Sequence, residues 1–170
     1  MRWESNVGAS AFTALSAGFL MAVVLTIGLP SIARAAGSPI DVQAHLVTEC
    51  LQGHLQPSSL VAEYKISVHD FKLYCGSPIS TGVLHIDSGH PIEGHERDFA
   101  QCASKLFLNG HESTGVQAYN LMWHWQPNLD FSVRAFHETD GRIITIFTGN
   151  GMGNRDGTVS SNAWAFCARL

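Results

Sequence analysis

Residues 129–148 read LDFSVRAFHETDGRIITIFT. In Leu129–His137 one face takes Leu129, Phe131, Val133, Ala135 and His137, and the other takes Ser132, Arg134 and Phe136. Period two is the mark of a half-buried strand. Thr139-Asp140-Gly141 then carries a hairpin signal, because Asp and Gly tolerate the positive φ that tight strand connections need. Arg142–Thr148 is the returning strand. This stretch predicts an antiparallel sheet.

Upstream, Gln117–Gln126 alternates in the same way, with Tyr119, Leu121, Trp123 and Trp125 opposite Asn120, Met122 and His124. Pro127-Asn128 turns the chain. Trp123-His124-Trp125 offers a stacking surface for a base or a sugar, but the shared face with Tyr119 and Leu121 reads as core, which leaves His124 pointing to the exposed side. Downstream, Gly149–Gly157 resembles a phosphate loop in composition only. Such loops feed a helix N-terminus, and this one runs into Thr158-Val159-Ser160, so it reads as a mobile hairpin loop. Val159–Ala168 is expected to be a last strand.

Before the strands, Phe99, Cys102, Ala103, Leu106 and Phe107 make one apolar stripe at helical spacing. Glu96 and Asp98 sit in its first turn, where the helix dipole favours acids, and Asn109-Gly110 stops it. An earlier helix begins near Asp41, expected as its cap, and carries Val42, Leu46, Val47, Cys50 and Leu51 to about Gly53. One more helical turn is expected at Leu60–Glu63. Ile66 and Val68 alternate in one phase and Phe71, Leu73 and Cys75 in the other, so a bulge or tight turn is expected at His69-Asp70. Val83–Ile86 reads as a short strand. The resulting class is α+β, a mainly antiparallel sheet flanked by two helices.

The first 35 residues read as a separate segment. Ala11–Pro30 is nearly all apolar, and Ala33-Arg34-Ala35 has the small-x-small pattern of a signal-peptidase site. Residues 1–35 are therefore expected to be an export signal. An uncleaved anchor is the alternative, since the apolar run of about 18 residues is near the lower limit of a membrane span. Residues 36–170 form one domain, large enough to bury roughly two-thirds of its unfolded surface. They carry 8 Lys+Arg and 13 Asp+Glu, a net charge of −5 with neutral His. An acidic domain is a poor non-specific ligand for nucleic acid.

All four cysteines, Cys50, Cys75, Cys102 and Cys167, follow the signal. An even count in an exported domain reads as disulfides. Cys50–Cys75 and Cys102–Cys167 is the favoured pairing, each bridge joining a helix to a strand. The expected location is a bacterial periplasm or the exterior, with no stable membrane insertion once the signal is cut.

Residues 82–99, GVLHIDSGHPIEGHERDF, hold His85, His90 and His95 with Asp87, Glu93, Glu96 and Asp98. Spacings of five share no face of a helix or strand, so only irregular backbone gathers these imidazoles. One use is metal binding, with His90, Glu93, His95 and Asp87 as ligands for zinc or copper. Another is acid–base catalysis without a cofactor. RNA is cut by its own 2′-hydroxyl when one group removes that proton and another protonates the leaving oxygen, and histidine suits both roles. His85 and His90 are the expected pair. Lys72 or Arg134 is expected to hold the phosphate, with His137 a further candidate contact beside Arg155.

Gly82–Ile86 with His90, the helix Glu96–Leu108 and the hairpin Phe131–Thr148 ending ITIFTG together resemble the barnase/EndoU/colicin-type ribonuclease toxin fold, over about residues 64–150. In those proteins a strand-borne His-Ile precedes a helix and a run of antiparallel strands. The resemblance implies His85 as general acid or base, His90 as its partner, and Thr145 or Thr148 as a phosphate contact on a late strand. It implies RNA as the partner. The rival expectation is a binding or interaction protein that holds a metal ion or a partner protein through the His85–His95 loop, and the acidic charge favours it.

Overall fold

The computed structural model describes residues 38–113, 121–152 and 159–170. The expected signal, residues 117–120 of the expected strand, and residues 153–158 of the Gly-rich loop with Arg155 lie outside them.

Helix α1 (Pro39–Leu51) is capped by Ser38, not Asp41. Ser38 Oγ accepts the Asp41 amide at 3.2 Å, and Asp41 lies in the first turn. Strands β1 (Leu60–Ile66) and β2 (His69–Tyr74) pair antiparallel. The phase slip is a tight turn at Ser67-Val68, where Ser67 takes φ +55°, and not at His69-Asp70, which open β2 and pair with Ile66 and Lys65. Leu60–Glu63, expected as a helical turn, is the start of β1: Val61 is buried and packs in the core, and pairing with β2 supplies backbone partners that an isolated turn lacks.

Val83–Ile86 is not a strand. It opens helix α2 (Val83–Gly89). A four-residue apolar run fits either structure, and Val83 and Ile86, three apart, are both buried on one helical face. Gly82 decides the geometry. Its φ is +86°, and a Cβ there would stand 2.4 Å from the Tyr74 carbonyl oxygen, so only glycine lets the chain pass back against the end of β2 just before the helix.

Helix α3 (Glu96–Asn109) buries the stripe read from sequence, and the Gly110 amide closes it on Leu106 O at 2.8 Å. Strands β3 (His111–Ser113), β4 (Leu121–Asn128), β5 (Phe131–His137) and β6 (Ile143–Asn150) form a four-stranded antiparallel sheet in that order. So there are two sheets, not one. An isolated bridge between Lys72 and Arg142 joins their edges. The β5–β6 turn is the expected hairpin: Asp140 Oδ1 accepts the Arg142 amide at 3.0 Å, and Gly141 has φ +83°.

The expected last strand is helix α4 (Trp164–Arg169). Its buried residues Trp164, Cys167 and Ala168 follow helical spacing, three and four apart. The disulfides are Cys50–Cys75 and Cys102–Cys167, the favoured pairing. The second joins two helices, because Cys167 is helical. Trp123, Val133, Ala135 and Ile146 on the inner sheet face pack into the same core as Phe71, Phe99, Leu106 and Phe107. Among the described residues no helix is long and apolar enough to cross a membrane.

Candidate functional site

Strand pairing fixes what the outer face of the four-stranded sheet presents. In an antiparallel ladder directly opposed residues share a face. His111 opposes His124, His124 opposes Arg134, and Arg134 opposes Phe147. One row therefore crosses all four strands. A parallel row runs Ser113, Met122, Phe136 and Thr145. Neither row contains a carboxylate, although the domain as a whole is acidic.

The imidazoles of His111 and His124 stand 5.8 Å apart, centroid to centroid, with ring planes inclined at 59°. His111 is exposed, and His124 and Arg134 are half-buried. Burial pushes the His124 pKa below its ordinary value, and the charges of Arg134 and His111 push it the same way. Its Nε2 has no hydrogen-bond partner among the described residues. Arg134 reaches the Asn150 carbonyl with one guanidinium nitrogen at 3.4 Å, a single long bond that leaves most of its five donors available. A guanidinium without a counter-charge, next to imidazoles, makes a place for an anion, and it matches the oxygens of phosphate.

The row ends in a fifth group. His90 closes α2, and its ring stacks on Phe147 at 5.3 Å and 27°. Burial lowers its pKa, with a smaller push from the charge of His85. His85 is on α2 itself, not at a strand end, and its Nδ1 lies 3.1 Å from the Pro78 carbonyl oxygen. The loop that carries His90 is held at two points. Asp87 Oδ1 accepts the Ile92 amide at 2.7 Å, and Trp164 Nε1 donates to the Pro91 carbonyl at 2.9 Å.

The other candidates are dispersed. His95 Nδ1 is 3.4 Å from Asp98 Oδ2 at the start of α3. Glu93 lines a hollow with Thr48, Asp87 and Glu96. The proposed ligand set of His90, Glu93 and His95 is thus split among three environments, and Asp87 is tied to the loop backbone. Among the described residues no group of three His, Cys, Asp or Glu is gathered around a point that suits a metal ion. Lys72 lies on β2, in the other sheet. His137 faces the inner side and is buried. Thr145 shares the outer face, next to Phe147. Thr148 faces inward and is 1% exposed; its hydroxyl donates to Ser160 O and accepts the Ala163 amide at 2.8 Å.

Sequence reasoning missed His111, and it left His124 as a bystander. Strand phase was a usable signal for His124 and Arg134, which alternate on the polar side of neighbouring strands. For His111 there was none, because β3 has three residues and is separated from its partner by residues 114–120.

The fold and this face define an α+β domain stapled by two disulfides, a combination suited to an oxidising environment. Comparison with family models, with curated proteins and with solved structures found no match to the chain.

Proposed function

We propose that this protein is an exported, ribonuclease-like hydrolase that cleaves RNA by histidine acid–base chemistry on the outer face of the four-stranded sheet. The observation that carries the reading is the His111–His124 pair, 5.8 Å apart and beside Arg134. In an in-line displacement the attacking and leaving oxygens lie on opposite sides of phosphorus, so the anion sits between the two imidazoles and Arg134 reaches it from the His124 side. Arg134 holds the phosphate. His124, kept neutral by burial and by its cationic neighbours, takes the 2′-hydroxyl proton. The 2′-oxygen bonds to phosphorus, the bond from phosphorus to the 5′-oxygen breaks, and protonated His111 gives that oxygen its proton. The products are a 2′,3′-cyclic phosphate and a 5′-hydroxyl. Phe147 with His90 offers an aromatic surface for a base, of the kind that holds single strands. His85 acts through its neighbour His90.

We also read the protein as periplasmic or secreted from a bacterial cell. The disulfides support an oxidising compartment, and the apolar N-terminal run supports export. A second reading, a binding protein for a metal ion or a partner protein, draws support from the net charge of −5 after residue 35. One experiment separates the two. The oxidised protein is incubated with a labelled single-stranded RNA, with and without chelator. Cleavage that persists with chelator and is lost in His124→Ala and in Arg134→Ala supports the hydrolase. Intact RNA, with zinc or copper bound stoichiometrically and lost in His90→Ala, supports the binder and ends the hydrolase reading.

A further inference from the structure

Strand β1 has a neighbour on one edge alone. It pairs with β2 in a register that opposes Glu63 to Lys72, Tyr64 to Phe71 and Lys65 to Asp70, and the two strands make a sheet by themselves. Among the described residues, no backbone hydrogen bond runs from Leu60–Ile66 to any other element. An open edge of this kind is a template for another strand.

Charge on the outer face of this small sheet indicates which strand fits. Opposed residues share a face, so Lys72 and Glu63 form one row, and Asp70 and Lys65 form the next. Glu63, Lys65 and Asp70 are exposed, and Lys72 is half-buried. Glu63 and Lys65 also meet along β1, at 3.2 Å. Lysines of one sign on an edge repel an incoming strand. Here each lysine is matched by an acid, so the edge rejects only strands whose charges fall in the wrong order.

We propose that β1 pairs antiparallel with β1 of a second copy of this chain, about a two-fold axis at Tyr64. That register sets Glu63 against the partner subunit's Lys65, and Lys65 against the partner subunit's Glu63. Lys72, Glu63, the partner's Lys65 and the partner's Asp70 then form a row across four strands, and the two-fold axis generates a second row like it. Signs alternate along both. Moving the axis to Glu63 would set that acid against itself, and moving it to Lys65 would do the same to the lysine. On the inner face the Tyr64 register opposes Ala62 to the partner's Ile66, beside a groove of about 210 Å³ lined by Ile40, Val42, Val61 and Ala62 among others. Val42 is 50% exposed, and an aliphatic side chain placed there takes apolar surface out of water. The pairing is closed, because each copy spends its one β1 edge on the other. A contact of this size makes a weak dimer. It uses the smaller sheet, so it stands independently of the hydrolase reading.

Sedimentation equilibrium of the oxidised protein is the test, with thermal melts to show that each variant folds. A concentration-dependent dimer is expected, weaker in about 1 M salt, which screens exposed charges. Glu63→Lys and Lys65→Glu should each weaken it by about tenfold or more, because like charges then meet across the axis. An equimolar mixture of the two variants should associate again, since one presents two positive charges and the other two negative ones. Mixing does not repair a misfolded chain, so this recovery separates a lost interface from a lost fold. Arg134→Ala should leave association intact. A protein that stays monomeric up to about 1 mM overturns the proposal. So does a dimer indifferent to both substitutions, or a mixture of the two variants that stays apart.

Discussion

The two faces of the four-stranded sheet are made from alternate residues of the same strands, yet they differ in one respect. On the inner face the polar groups are matched but for His137 Nε2. Trp123 Nε1 donates to Leu106 O at 3.1 Å, and the Thr148 hydroxyl both donates and accepts. On the outer face they are not. His124 Nε2 and, at the far end of the row, His90 Nδ1 have no partner among the described residues, and Arg134 has one weak bond. Stability requires buried polar groups to be satisfied. Unused hydrogen-bonding capacity is therefore informative about ligands when it gathers on one face, and that gathering separates the residues that fold this domain from those that can act.

Neighbours on β4 give the sharpest test of that contrast. Trp123→Ala, on the inner face, should cost about 3–5 kcal/mol of stability, read as a fall in the urea midpoint. His124→Ala, one residue on, should leave the midpoint nearly in place and cut RNA cleavage by about 10²–10⁴-fold. If both variants lose stability alike, the division between the faces fails.

The disulfides come next. Replacing Cys102 and Cys167 by Ala opens a link across a sequence separation of 65 and should cost about 4 kcal/mol on a chain-entropy estimate. Removing Cys50–Cys75, with a separation of 25, should cost slightly less. Denaturation of the two double variants checks the order.

A smaller effect distinguishes two threonines on β6. Thr148→Val removes a buried hydroxyl that bonds both the Ala163 amide and the Ser160 carbonyl, at about 1–3 kcal/mol. Thr145→Val, on the outer face, should stay within about 0.5 kcal/mol and instead show itself in the KM for RNA.

Acid should weaken the fold through the same groups. His90, His124 and His137 all have pKa values lowered from 6.5, chiefly by burial. Their contribution is complete above the unfolded value. As pH falls through it the unfolded chain takes up protons first, so stability declines until the folded groups titrate. Melts at pH 7.5, 6.0 and 5.0 should show the decline, and it should be shallower in His124→Ala. The smallest effect is expected at His95, paired only with exposed Asp98. His95→Ala should change stability by less than about 0.5 kcal/mol and leave cleavage as it was.

Periodicity in the amino-acid sequence was enough for the α+β class, the β5–β6 hairpin, the helix Glu96–Asn109 and the inward face of Trp123. Each is written in local alternation or in a stripe. Cysteine count and context likewise led to the disulfide pairing. Val83–Ile86 and Val159–Ala168 were misread as strands because neither stretch carries a clear period, and burial against the rest of the chain selected helix for Val83–Ile86 and for the part of the second from Trp164 on. The histidine-rich loop was visible in composition, but its imidazoles go to different neighbours: His90 to Phe147, His85 to Pro78, His95 to Asp98.

Local sequence determined which side of each strand a residue would take, since side-chain direction alternates with every peptide unit. Only tertiary structure decided which strands lie side by side. Register is a property of the paired backbone, and it alone brought His111 against His124, set Arg134 beside them and laid His90 on the end of the row.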